Sequence, residues 1–206
     1  MRIFLMETSA VTKEAVEQLA QTLPPWRRAI ANRCRQEAAY RQSVLAFCLA
    51  RFGIRQEDAH ANTEDWTHRE NGKPYLQAGD PFFNLSHTAH GIAVAVSGQE
   101  EVGIDIEEIR PHHPRLVSRI CNAAEQAIVT HAPDPVSELV RLWSAKEAVV
   151  KQSGIGMGKA DLPHIPTNGV QNIHLCFGGI PHWLSVFPAS SAPRTEWVSA
   201  EMLFTT

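Results

Sequence analysis

Apolar residues are spaced along the chain in two ways, and together they outline the elements. The unbroken run Ile3-Phe4-Leu5-Met6 predicts an opening strand, Arg2–Glu7. Thr12 then stands where an N-cap belongs, ahead of a helix over 13–22. After Pro24-Pro25 a long helical stretch is predicted as far as Phe52, stopping at Gly53, with Val44, Leu45, Phe47, Cys48 and Leu49 covering much of one side. Strands are predicted over 82–85 and 91–96, with a loop holding Ser86, His87 and His90 between them. Ser97-Gly98-Gln99-Glu100-Glu101 is the clearest turn or linker, and 102–106 the next strand. Two helical patterns follow, separated by Pro133 and Pro135. The second runs over 136–151 and ends in Gly154-Ile155-Gly156-Met157-Gly158. Strand-like runs at 173–177, 183–187 and 197–204 complete an α+β pattern with mainly antiparallel sheet and no internal repeat.

Composition narrows the class. With 206 residues, 44% hydrophobic and 20% charged, the chain reads as soluble and globular, one large domain or two small ones. The first apolar run is too short for a signal-peptide core, and no stretch is long enough for a membrane span. Four scattered cysteines, Cys34, Cys48, Cys121 and Cys176, show no ligand spacing and read as buried thiols in a reducing cytoplasm. The net charge of -3 conceals an asymmetry: residues 1–60 hold 9 Lys+Arg against 6 Asp+Glu, the remainder 10 against 16. Arg27, Arg28, Arg33, Arg35 and Arg41 carry the basic excess, with only Glu37 among them. Such a cluster suits phosphates or an acidic partner, although a solvated helix face is the plainer account of arginines alone.

The chemistry lies in three short motifs. In Gly103-Ile104-Asp105-Ile106-Glu107 the period of a strand sends both carboxylates to one face and both isoleucines to the other. Two acids side by side repel each other, and a cation between them, Mg²⁺ above all, would relieve that. Taken alone, the segment is also consistent with a half-exposed strand bearing solvated acids. In Trp143-Ser144-Ala145-Lys146-Glu147-Ala148-Val149-Val150-Lys151, Glu147 and Lys151 share a helix face with Trp143. A Glu-Lys pair at that spacing is ordinary on a surface helix, but this helix is apolar nearly all round, so its charges need partners. Asn84-Leu85-Ser86-His87 and Gly72-Lys73-Pro74 are weak signals singly, a polar loop and a turn. The ten histidines, His112-His113 included, match no metal motif and read as surface residues.

As an ordered set these segments resemble the 4′-phosphopantetheinyl transferases, specifically the long single-chain Sfp type. The family patterns Gly-Lys-Pro, Asn-[Ile/Leu]-Ser-His, Gly-[Ile/Val]-Asp-[Ile/Val]-Glu and Trp-x-x-Lys-Glu-[Ala/Ser]-x-x-Lys all occur, in order, within 24–158. The resemblance implies two similar α/β halves, 1–98 and 99–206, related by a pseudo-two-fold axis, with the site between them and one chain acting as a monomer. It implies transfer of 4′-phosphopantetheine from coenzyme A to a serine of an acyl or peptidyl carrier protein, releasing 3′,5′-ADP. By the same resemblance Asp105, Glu107 and Glu147 hold Mg²⁺, or Mn²⁺ in its place, and Glu147 is the base. Lys146 and Lys151 would hold pyrophosphate oxygens, and Lys73, Ser86 and His87 the nucleotide phosphates. Arg41 and Arg28 would face the 3′-phosphate. The family's Arg-Phe-Phe-x-x-x-Glu run is here Arg119-Ile120-Cys121-Asn122-Ala123-Ala124-Glu125, a departure that bears on carrier recognition.

Two other classes are consistent with parts of the pattern. Another Mg²⁺-dependent phosphoryl or nucleotidyl transferase would use the same acids without requiring Asn-Leu-Ser-His. A non-catalytic carrier-binding module would have lost at least one acid, and none is lost. Nucleic acid is a poor partner for a net acidic chain without a binding motif.

Overall fold

The computed structural model describes residues 1–189 and 193–205. The opening apolar run is a strand buried on both faces, which explains why it does not alternate. β1 (Arg2–Glu7) points Phe4 and Met6 into one core cluster and Ile3 and Leu5 into another. It pairs antiparallel with β5 (Gly91–Ser97), which pairs with β4 (Phe82–His87), and the sheet order is β4-β5-β1-β9 with β9 (Arg194–Trp197) parallel to β1. A small hairpin, β2 (Trp66–His68) and β3 (Pro74–Leu76), carries Gly72-Lys73-Pro74 at its turn, where Gly72 has φ +85.

The first core fills the space between this sheet and the N-terminal helices. α1 (Lys13–Gln21) begins at Thr12, whose hydroxyl accepts from the Ala15 N–H, the predicted N-cap. The predicted long helix is two helices, α2 (Pro25–Ala31) and α3 (Glu37–Glu57). The intervening Arg33 and Arg35 offer no apolar face to bury, so nothing holds that segment in a helix. Gly53 does not stop α3. It lies where the helix meets the sheet, and a Cβ there would come within 2.7 Å of the Phe4 ring. This glycine serves close packing rather than termination.

The second sheet has the order β6-β8-β7, built from β6 (Gly103–Glu108), β7 (Gln171–Phe177) and β8 (Ile180–Phe187), all antiparallel. Ile104, Ile106, Leu184 and Val186 pack against Ile3, Leu5, Ala93 and Ala95 of the first sheet, so the sheets share a dry interface. The two predicted helical patterns are α4 (Arg115–Ile120) with α5 (Ala123–His131), and then α6 (Pro135–Ser153). α6 lies on β6 and β8.

Three further expectations are corrected. Ser86 and His87 are the last residues of β4, not loop residues. The run 197–204 is not a strand: only its first residue closes β9, and Glu201–Thr205 is a 3₁₀ turn that delivers Leu203 to the first core. β7 and β8 complete the second sheet, whereas β9 returns to the first. Of the cysteines, Cys48 and Cys121 are buried as expected, Cys34 is half-buried and Cys176 is exposed. Among the described residues no helix is long and apolar enough to cross a membrane.

Candidate active site

β6 is an edge strand of the second sheet and lies beside β4, the edge of the first. Asn84 joins the two edges by accepting the Ile104 N–H at 3.2 Å. With Ile104 and Ile106 facing the core, Asp105 and Glu107 face α6, as strand periodicity requires. Asp134 caps the start of α6 by accepting from the Ser137 N–H at 3.0 Å, and Pro135 sits in the first turn. Gly154, at φ +69, ends it. Within the helix Trp143 donates its indole N–H to Glu147 Oε1 at 2.5 Å. Carboxylate oxygens of Asp105, Glu107 and Glu147 lie within 4.8 Å of one another.

One cation faces the three acids directly. Lys151 Nζ donates to Asp105 Oδ1 at 2.5 Å and to Ser86 Oγ at 3.0 Å, and Ser86 donates to the same Oδ1 at 3.0 Å. Burial opposes the Lys151 charge, but Asp105, Glu147 and Glu107 outweigh it and raise the pKa. Burial and then the charges of Asp105 and Glu147 push Glu107 up to about 8. Burial and Asp105 push Glu147 up to about 7, against the pull of Lys151 and Trp143. Asp105 Oδ2 is buried without a hydrogen-bond partner. An orphaned carboxylate oxygen beside two acids held towards their neutral forms fits a hard divalent cation with oxygen ligands.

The sign of the pH effect follows. An acid whose folded pKa is raised binds more protons folded than unfolded, so ionising it costs stability as pH rises. Both acids have an ordinary value of 4.5, so the window runs from there to about 8. Metal-free protein is expected to melt at progressively lower temperature across that window, and Mg²⁺ to restore most at its alkaline end. Thermal unfolding with and without EDTA checks this, and a flat metal-free profile would remove the electrostatic argument.

A cleft of about 400 Å³ opens beside the acids. Phe47, Trp66, Ile30 and Met157 give it apolar walls, and Arg27, Lys73 and Lys151 bring charge. In the sequence Arg27 is only one of five clustered arginines. Its guanidinium bonds Ser43 through Nη2 and lies over the Phe47 ring, while its buried Nη1 has no partner. The neighbouring Arg28 turns away to Gln21 at 3.3 Å and does not line the cleft. A helical register separates the two, and an arginine cluster alone could not say which one faces inward.

The other expected site residues divide. Asp105, Glu107, Glu147, Lys151 and Ser86 come together, though Ser86 meets Asp105. His87 closes β4 with part of its surface open to solvent, and partial shielding of its ring followed by the Lys151 charge lowers its pKa. Arg41 donates to the carbonyls of Thr8 and Val11. Lys73 lines the cleft but is committed, with its ammonium on the Gln152 carbonyl at 2.7 Å and on Glu101 at 2.5 Å. Lys146 is not brought to the acids. Fully buried, it donates to Glu125 at 2.7 Å and to the Leu162 carbonyl at 2.9 Å. Helix phase explains this, since Lys146 lies one residue from Glu147 and so on another face.

Glu125 also closes a capping box with Asn122 at the start of α5, so the Lys146 pair fastens α5 to α6. Glu125→Ala is expected to cost about 3–5 kcal/mol of stability, because it strands a buried ammonium. Chemical denaturation measures this, and a loss under 1 kcal/mol would show that the pair is dispensable. The histidines are not all surface residues. His182 is fully buried, and His112 packs edge-on against Trp143, 5.1 Å between ring centres.

Strand, helix and cleft together define an α+β protein with an acidic, cation-ready centre beside a basic-lined pocket. Residues 101–182 match the family model described as 4'-phosphopantetheinyl transferase superfamily. A 4'-phosphopantetheinyl transferase of Bacillus pumilus, psf-1, is 32% identical over 170 residues, covering 76% of this chain and 70% of that protein. The Sfp protein of Bacillus subtilis strain 168 is 26% identical over 151 residues, covering 71% and 67%. AcpT of Salmonella typhi is 43% identical over 91 residues, covering 41% of this chain and 47%, about half, of that protein's length. The chain belongs to the 4′-phosphopantetheinyl transferase superfamily.

Proposed function

We propose that this protein transfers 4′-phosphopantetheine from coenzyme A to a serine hydroxyl of an apo acyl or peptidyl carrier protein, releasing 3′,5′-ADP. The observation that carries the reading is the convergence of Asp105, Glu107 and Glu147 around Lys151, which also lines the cleft of about 400 Å³. These three acids would hold Mg²⁺, or Mn²⁺, which when bound neutralises charge on the pyrophosphate and on the leaving phosphate.

The chain's own groups do the rest. Glu147, its carboxylate fixed by Trp143, accepts the serine proton directly or through a water. The serine oxygen bonds to the phosphorus that carries pantetheine, and the bond from that phosphorus to the oxygen of 3′,5′-ADP breaks. Lys151 directs its ammonium to the departing oxygens. The unpaired Arg27 Nη1 supplies a donor inside the cleft, and His87 and Arg41 are the anchors for the 3′-phosphate.

The same reading divides the chain near Gly98 into two related halves, supported by the arrangement of one long helix on each sheet, α3 on the first and α6 on the second. One chain then holds the whole site, so the protein acts as a monomer, in the cytoplasm where coenzyme A and carriers are found.

The test is mass spectrometry of apo carriers incubated with the protein, coenzyme A and Mg²⁺. One carrier or more is expected to gain a single phosphopantetheine, to gain none after EDTA, and to recover with Mg²⁺ or Mn²⁺. Full activity in EDTA would reject the metal assignment. No gain on any fatty-acid, polyketide or nonribosomal-peptide carrier would reject the reaction.

A further inference from the structure

His182 on β8 is fully buried, yet both ring nitrogens are bonded. Nδ1 lies 2.8 Å from the Ile180 carbonyl, and a carbonyl only accepts, so Nδ1 carries the proton. Nε2 is then an acceptor, and it faces Thr88 Oγ1 at 3.0 Å. With its proton given to His182, the Thr88 oxygen accepts from the His90 and Gly91 N–H groups, both at 3.3 Å. One side chain of the second sheet thus sets the turn that follows His87 in the first.

That turn is fastened on other sides as well. Gln42 of α3 donates to the Thr88 carbonyl at 2.7 Å. Thr8 donates its hydroxyl to Ala89 and its N–H to His90, both at 2.9 Å. The Thr8 carbonyl in turn accepts from Arg41 at 3.0 Å. Gly91 makes the approach possible, because a Cβ there would fall 2.4 Å from the Phe177 ring, which itself packs on His182.

We propose that His182 is a positioning residue for phosphate recognition: through Thr88 it fixes the turn after His87, and through Thr8 that turn is bonded to Arg41, so one buried histidine holds both anchors at the spacing that selects a ligand bearing a 3′-phosphate. The inference rests on the reading of His87 and Arg41 as those anchors. The sequence hides this role, because a lone histidine in a strand next to proline reads as an ordinary surface residue.

Calorimetric binding of 3′,5′-ADP and of 5′-AMP isolates the 3′-phosphate and needs no carrier. Wild type is expected to prefer 3′,5′-ADP by on the order of tenfold or more, and His87→Ala to lose that preference. Thr88→Val and His182→Phe are expected to narrow it to within about threefold while leaving 5′-AMP binding unchanged. His182→Gln keeps an acceptor towards Thr88 and is expected to keep the preference. If His182→Phe does not fold, Thr88→Val decides alone. The proposal is overturned if Thr88→Val keeps the full preference where His87→Ala loses it, or if both ligands weaken equally, which is a general structural effect. A wild type that does not distinguish the two ligands overturns the anchor reading and this inference with it. Whether phosphopantetheine is transferred is decided separately by the carrier mass measurement.

Discussion

Asp105→Ala is expected to lower turnover by about 10²–10³-fold while leaving the protein folded. Asp105 takes part in most of the interactions at the centre. It pairs with Lys151, accepts from Ser86, contributes to raising the pKa of both Glu107 and Glu147, and keeps one oxygen unpaired. Removing it deletes a proposed metal ligand and the fixed partner of Lys151 together. It also relieves repulsion, so the metal-free variant is expected to melt within a few degrees of wild type at neutral pH, and its melting temperature to depend less on pH. Lys151 keeps Glu147 and Glu107 nearby as counter-charges, which guards against a stranded ammonium. Steady-state turnover and thermal unfolding together check the claim. A variant that unfolds outright would mean that Asp105 serves the fold, and one that keeps full turnover would remove the centre from the mechanism.

Gly103→Ala is expected to be nearly as damaging by a different route. α6 approaches β6 so closely that a Cβ at Gly103 would lie 2.0 Å from the Ala148 carbonyl oxygen and 2.5 Å from the Gln152 backbone nitrogen. Both are backbone atoms in the middle and end of a helix and cannot swing aside. The helix as a whole must retreat, at a cost of about 1–3 kcal/mol or more for overpacking. That displacement also carries Glu147 and Lys151 away from Asp105, and misplacement near 1 Å costs about 10²-fold in rate. The variant should therefore lose turnover further than its stability loss explains, while folded by circular dichroism. Wild-type turnover would show that the helix adjusts without moving its charges.

The parts of the fold and site most legible in sequence were those set by a single local period. Ile104 and Ile106 point inward because a strand alternates, and Glu147 and Lys151 share a face because a helix repeats, so each half of the acidic centre could be read from spacing, while their meeting was implied by the family resemblance alone. What was not legible depended on neighbours far along the chain. Gly53 looks like a helix terminator unless Phe4 is known to lie beneath it. Arg27 and Arg28 differ only in helix phase, and the apolar residues that set the phase, Phe47 and Trp66 among them, come from α3 and β2. Lys146 stands next to Glu147 in the motif but faces Glu125, a partner the sequence places only in an aromatic-poor run. His182 has a role only because β8 passes the turn after β4.

The return of β9 to lie beside β1 has a consequence for biosynthesis. β1 is made long before β9, yet Arg2 pairs with Arg194 and Leu5 with Trp197. Val198 and Leu203 also fill the first core. The first sheet thus leaves the ribosome with an open edge and an incompletely filled interior, and stays so until β9 and the residues after it have been translated. A nascent half ending near Gly98 would expose the flank of β1 to any passing strand, which is a hazard for aggregation. Completion of the first sheet is thereby tied to the synthesis of β9, and products truncated before it are left marked for quality control.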